Sequence, residues 1–248
     1  MKYLILITLL FGNILWANKI TIFAASDLRY ALDNIKEVFI KKYPKNKINI
    51  IYGSSGKGMY QIAQNAPYDI YFSANMDYVQ KLYKNGYITT KPILYAIGQI
   101  VIWSKNKHFK STKGFDNFTQ PWVNKIAIAN PSHAPYGQKA KQAMDKIGIY
   151  NKIKSKIIFG ENISSTTSYI DTKAVDIGII ALSLALNPHI SNTKYNKYYL
   201  IPSSLYKPLK QGYGITKYGK NSELALKFYN FMQQKQAKEI MKEFGFNI

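Results

Sequence analysis

The sequence predicts an α/β protein of two lobes, each a mixed, mostly parallel sheet flanked by helices, with a ligand cleft between them. Three observations carry that expectation. Short apolar runs alternate with amphipathic stretches along nearly the whole chain, the order of a sheet covered by helices on both faces. At 248 residues and 47% hydrophobic, the chain can bury about 70–75% of its unfolded surface in one large domain or two smaller ones. It contains no cysteine, which excludes disulfides, Cys-ligated zinc, iron–sulfur clusters and thiol catalysis, so packing alone must hold the fold.

The opening segment, MKYLILITLLFGNILWA (1–17), combines Lys2, an apolar run from Tyr3 to Leu15 and the small Ala17. That is the pattern of a cleaved secretory signal peptide. The apolar run of about 13 residues falls short of the roughly 20 that span a bilayer, and Gly12 and Asn13 interrupt it. An exported, diffusible protein is retained only by an outer barrier, so the expected compartment is a periplasm.

From Asn18 the units follow in order. ITIFAA (20–25) reads as a strand leading through Ser26 into a helix with Leu28, Ala31, Leu32, Ile35, Val38 and Phe39 at helical spacing, ended near Pro44. KINIIYG (47–53) leads through Ser54, Ser55 and Gly56 into a helix carrying Met59, Ile62 and Ala63. DIYFSA (69–74) precedes a helix over 76–84, and AIGQIVIWS (96–104) reads as one strand, each strand leading directly into a helix. A second set comprises KIAIAN (125–130) before a helix over 135–146, KIIFGEN (156–162) before a helix over 163–172, and VDIGIIAL (175–182). The Pro and Ser cluster at 202–208 reads as a linker. The strand GYGIT (212–216) and two closing helices, the last capped by Gly245, complete the chain. Crossings near 96–100 and 202–208 divide it into a first lobe of 18–97 plus 205–248 and a second of 98–204.

Net charge is +21, from 34 Lys+Arg against 13 Asp+Glu. Clustered cations would suit a polyanion, but Arg29 is the only arginine and the lysines are spread along the chain. Base-edge and bidentate phosphate recognition favours Arg, so no nucleic-acid partner is expected. Function is expected at the strand-to-helix junctions, where ligands bind in open α/β sheets and helix starts present unpaired N–H groups and partial positive charge. Four junctions carry small or hydroxyl residues: Ala25-Ser26, Gly53-Ser54-Ser55-Gly56, NPSHAPYG (130–137) and GENISS (160–165). Converging, they would form an anion site without formal charge. Taken singly, Ser26 and Ser55 read as helix N-caps.

With these residues in view, the chain resembles the periplasmic molybdate-binding proteins of ABC transporters, the ModA family. The resemblance runs through ITIFAASDLRYAL (20–32), INIIYGSSGKGMYQI (48–62), APYDIYFSAN (66–75), AIANPSHAPYGQKA (127–140), GENISS (160–165), VDIGIIALSLAL (175–186) and FGFNI (244–248). It implies the hinged, two-lobed fold of type II periplasmic binding proteins. It also implies a tetrahedral oxyanion, molybdate or tungstate, held by the hydroxyls of Ser26 and Ser55 and the backbone N–H groups of Tyr136 and Ile163. Ser54 is a possible further donor. Some members of the family place a tyrosine where this chain has Ala181, which removes one donor. Lys57 is expected in solvent. The implied partner is a membrane permease, the protein a monomer without a cofactor, and no metal is ligated directly by side chains.

A site of donors alone would accept a fully deprotonated dianion and reject protonated phosphate, whose P–OH needs an acceptor; sulfate would be excluded by size. Enzyme chemistry is not expected: His108, His133 and His189 are isolated, and no GxSxG elbow is present. The alternative is a ferric-iron-binding protein of the same architecture, with Tyr198 and Tyr199 as phenolate ligands.

Overall fold

The computed structural model describes residues 18–248; the apolar segment 1–17 and its expected cleavage lie outside the described residues. The first half of the chain gives strands β1 (Lys19–Ala25), β2 (Lys47–Gly53), β3 (Ile70–Ser73), β4 (Ile93–Gly98) and β5 (Ile100–Trp103). Its helices are α1 (Arg29–Lys42), α2 (Ser55–Ala63) and α3 (Met76–Lys84). The second half adds β6 (Ile126–Ala129), β7 (Ile157–Gly160), β8 (Ile177–Ala181), β9 (Tyr198–Leu200) and β10 (Leu209–Ile215). Its helices are α4 (Pro135–Lys146), α5 (Tyr150–Ile153), α6 (Ile163–Asp171), α7 (Leu182–Ala185), α8 (Pro188–Ser191), α9 (Glu223–Phe231) and α10 (Lys235–Glu243).

These strands form two mixed five-stranded sheets, ordered β2-β1-β3-β10-β4 and β7-β6-β8-β5-β9. In the first, β1 lies parallel to β2 and β3, while β10 runs antiparallel to β3 and β4. The second repeats that logic, with β6 parallel to β7 and β8, and β5 antiparallel to β8 and β9.

Residues 96–104, expected as one strand feeding a helix, form two strands that belong to different sheets. Gln99 lies between them, and β5 leads into a loop and a 3₁₀ segment, Ser111–Thr119, instead of an α-helix. An apolar run carries no mark of where a chain changes sheets, because both halves are buried and read alike. Tyr198–Leu200 pairs with β5 as an edge strand of the second sheet, and the chain then returns through 202–208 to β10 in the first.

Each sheet is covered on both faces. Leu28, Leu32, Ile35 and Phe39, spaced to share one face of α1 and its lead-in, pack with Phe228 and Phe231 of α9 over Ile20, Ile22 and Phe72. Phe72 stacks on Tyr213 with ring centroids 4.7 Å apart. On the other face Phe23 of β1 and Tyr71 of β3, at the alternate strand positions, pack with Val79 and Leu82 of α3. The second sheet buries Ile100, Ile102, Ile126, Ile128, Ile177 and Ile179 on one face, with Val101, Trp103, Ala127 and Ile180 on the other.

Strand register positions the functional edge. Ala25 pairs with Gly53 at the carboxyl ends of β1 and β2, so Ser26 and Ser54 emerge at the same height. Ala129 pairs with Gly160 in the second sheet and brings the starts of α4 and α6 together in the same way.

Candidate functional site

Between the two sheet edges lies a small cavity of about 10 Å³, lined by Ser26, Asp27, Ser54, Ser55, Tyr136, Ile163 and small neighbours such as Ala25, Gly53 and Ala74. All four principal residues expected from the sequence, Ser26, Ser55, Tyr136 and Ile163, border this one space. No Lys, Arg or His is among its lining residues. The one carboxyl in the lining is Asp27, which no sequence motif marks.

Neither serine acts as a cap of its own helix. Ser55 Oγ accepts from the Ala74 N–H at 2.9 Å, tying the start of α2 to the end of β3, and the Tyr71 hydroxyl donates to the Ser55 carbonyl at 2.6 Å. The Ser55 hydroxyl proton has no acceptor among the described residues, which leaves it as a donor. Ser26 Oγ donates to Asn162 Oδ1 at 3.1 Å and accepts from the Ser164 N–H at 3.3 Å. It therefore satisfies a free amide of α6 in the opposite lobe. The Tyr136 and Ile163 amides lie in the first turns of α4 and α6, where no carbonyl precedes them in helical register. Neither donates to another described group, and both residues face the cavity.

One possible donor departs from expectation. Ser54 is committed elsewhere: its hydroxyl donates to the His133 carbonyl at 2.7 Å and lies 2.8 Å from His133 Nδ1. Lys57 is exposed to solvent, and its ammonium pairs there with the likewise exposed Glu161 at 2.9 Å. With Gly56 N–H donating to the His133 carbonyl at 3.0 Å, these contacts form a clasp at the cleft mouth. Burial, and then the Lys57 charge, lower the His133 pKa. Ala181 ends β8 within the second lobe's core and supplies no side-chain donor.

A buried polar chain runs behind the cavity. Tyr136 donates its hydroxyl proton to Asp27 Oδ2 at 2.9 Å and accepts from Gln211 Nε2 at 2.9 Å, and Tyr95 donates to Gln211 Oε1 at 2.5 Å. Burial raises the Asp27 carboxyl to about 6, opposed by the Tyr136 hydrogen bond. Burial and the neighbouring Asp27 charge push the Tyr136 and Tyr95 hydroxyls well above the usual phenol range.

Tyr198 and Tyr199 do not form the pair that a ferric site requires. As successive residues of β9 they point to opposite faces. Tyr199 packs with Phe115 at 6.3 Å on one core, while Tyr198 packs on the other, against the cluster of Val101 and Trp103. No group of three or more His, Asp or Glu positioned for a metal occurs among the described residues.

Residues 20–247 match the family model described as bacterial extracellular solute-binding protein. The chain belongs to the bacterial extracellular solute-binding proteins. Relatives of this solute-binding protein include the molybdate-binding protein ModA of Rhodobacter capsulatus, 29% identical over 80% of this chain and 77% of that protein. Another is the putative ABC transporter substrate-binding lipoprotein YvgL of Bacillus subtilis, 30% identical over 92% of this chain and 85% of that protein. Among solved structures, the periplasmic molybdate-binding protein of Azotobacter vinelandii superposes with a TM-score of 0.86 at 26% identity, covering 92% of this chain and 99% of that one. The solute-binding protein is accordingly a receptor and not an enzyme, and its two mixed sheets are those of the periplasmic binding proteins.

Proposed function

We propose that this solute-binding protein captures molybdate, or its near-isosteric analogue tungstate, and delivers it to the membrane permease of an ABC transporter. The observation that carries the reading is the convergence of uncommitted donors from both lobes on one small space. The Ser55 hydroxyl comes from the first lobe and the Tyr136 and Ile163 amides from the second, with Ser26 bridging the two. A cavity of about 10 Å³ lies far below the ~300 Å³ at which organic-ligand pockets begin, which favours a compact inorganic ion. Two helix starts add partial positive charge without a cation. The likeness to proteins named as molybdate-binding supports the same ligand class.

On this reading Ser26 exchanges Asn162 for the anion as the ligand enters, and closure of the lobes about the crossings at Gln99 and 202–208 removes the anion from water. A rigid shell sized for long metal–oxygen bonds leaves sulfate with stretched hydrogen bonds. The protein acts as a monomer, needs no cofactor, and reaches the periplasm after cleavage of residues 1–17 near Ala17.

Calorimetric titration and thermal melting of the mature protein with molybdate, tungstate, sulfate and ferric citrate test this. Molybdate and tungstate should bind and raise the melting temperature, because a ligand selective for the native state stabilises it. Binding of ferric citrate alone would overturn the proposal.

A further inference from the structure

Among the described residues, one buried side-chain polar atom has no hydrogen-bond partner: Asp27 Oδ1. Such atoms are rare in folded proteins and call for an explanation. Asp27 is 1% exposed and lines the cavity beside Ser26 and Ser55.

Its surroundings contain no compensating charge. Tyr136 from α4 donates to Oδ2, Gln211 from β10 holds Tyr136, Tyr95 from β4 holds Gln211, and Ser183 from α7 donates to the Asp27 carbonyl at 2.8 Å. All four are neutral. Arg29, two residues along, sits over the Tyr52 ring at 4.7 Å and forms no ion pair with Asp27. The titratable group across the cleft is His133, which is bonded to Ser54. A carboxylate so placed would meet an entering dianion with like charge and no cation between them. A single proton removes the conflict: on Asp27 it makes Oδ1 a donor to the anion, and on the anion it makes Oδ1 the acceptor.

We propose that Asp27 determines the protonation state this site accepts, taking up one proton from solvent with each dianion and sharing it with the bound oxyanion. This rests on the oxyanion reading above and deepens it. It also revises the expectation of a donor-only site, since Oδ1 supplies the acceptor that a protonated phosphate would need. Selection against phosphate then falls on size.

The linkage has a definite sign. With burial holding the Asp27 carboxyl near 6, the free protein is mostly ionised there above that pH. Because the bound state holds the proton more tightly, affinity is flat below about 6 and falls about tenfold per pH unit above it.

The test is calorimetric titration of molybdate into the mature protein at pH 7.5 in two buffers of different ionisation enthalpy, repeated from pH 5.5 to 8.5. Uptake of about one proton, and a Kd rising about tenfold per unit above pH 6, is the expected result. Asp27→Asn, which keeps a donor and an acceptor without a charge, should abolish both the uptake and the slope. Uptake that persists in Asp27→Asn overturns the proposal. Should that variant fail to fold, His133→Gln decides in its place: it should retain the uptake whatever its affinity, and loss of uptake there overturns the proposal. Molybdate bound without proton uptake refutes this inference alone, whereas no molybdate binding at all refutes the oxyanion reading with it.

Discussion

Gly56→Ala offers a direct test of whether the clasp controls binding. Gly56 lies in the first turn of α2, and a Cβ there would stand 2.6 Å from the His133 carbonyl oxygen and 3.1 Å from its Cα, both belonging to the opposite lobe. Within its own lobe the change is favourable, since Ala exceeds Gly in helix propensity by about 1 kcal/mol. Closure is where it costs. To relieve the overlap the lobes must part by several tenths of an ångström, which stretches the Gly56 N–H bond at 3.0 Å and the two Ser54 contacts at 2.7 and 2.8 Å. At about 0.5–1.5 kcal/mol for each hydrogen bond, the closed form loses roughly 2–4 kcal/mol, or about 30- to 1,000-fold in affinity. Calorimetry should read that loss while the ligand-free melting temperature holds or rises slightly. Small-angle scattering should show less contraction with molybdate than in the parent protein. Affinity within threefold of the parent would refute the claim that the lobes meet at this point in the bound state.

Ser55→Ala should lower molybdate affinity by one to two decades, through the loss of a donor worth about 1.5–3 kcal/mol to a charged ligand. It should also lower the melting temperature, because the buried Ala74 N–H loses its acceptor; calorimetry and a thermal melt check the two effects separately. Asp27→Asn should stabilise the ligand-free protein at neutral pH. A carboxyl raised from 3.8 to about 6 contributes stability that is complete below 3.8 and lost as pH climbs to about 6, a loss of up to about 3 kcal/mol that the amide avoids. Denaturant melts at pH 4 and pH 7.5 measure it, and equal stabilities of parent and variant at pH 7.5 would contradict it. Tyr198→Phe and Tyr199→Phe should leave molybdate affinity within about twofold, since both rings pack in cores on opposite faces of β9; a decade of loss in a titration would return those phenols to the site.

The residues that could be read from the sequence share one property: their placement depends on local order. Ser26 and Ser55 follow apolar strands that end in Ala25 and Gly53, and the Tyr136 and Ile163 amides sit at helix starts marked by Pro135 and Asn162. A junction of that kind advertises itself. The clasp and the buried chain do not, because each of their contacts joins distant segments: Asp27 meets Tyr136 across 109 positions, and Lys57 meets Glu161 across 104. An acid beside a helix start reads as a partner for the helix dipole, so nothing in Ser26-Asp27-Leu28 marks Asp27 as buried against a tyrosine hydroxyl. The division of 96–104 between two sheets was hidden for a related reason, since uniform burial erases the pattern that would reveal a boundary.

The interleaving of β10 between β3 and β4 orders events during folding. The second sheet is assembled from strands within residues 100–200, an unbroken stretch. The first has a gap between β3 and β4 that only residues 209–215 can fill, and Ile97 beside the crossing is further bridged to Asn247. A nascent chain can therefore complete its second sheet while the first stays open, with β3 and β4 presenting unpaired edges of the kind that invite aggregation. Maturation of the cleft becomes the last step, gated by long-range strand insertion, which is intrinsically slow. Pulse-labelled hydrogen exchange should accordingly protect β6 and β8 before β3 and β4.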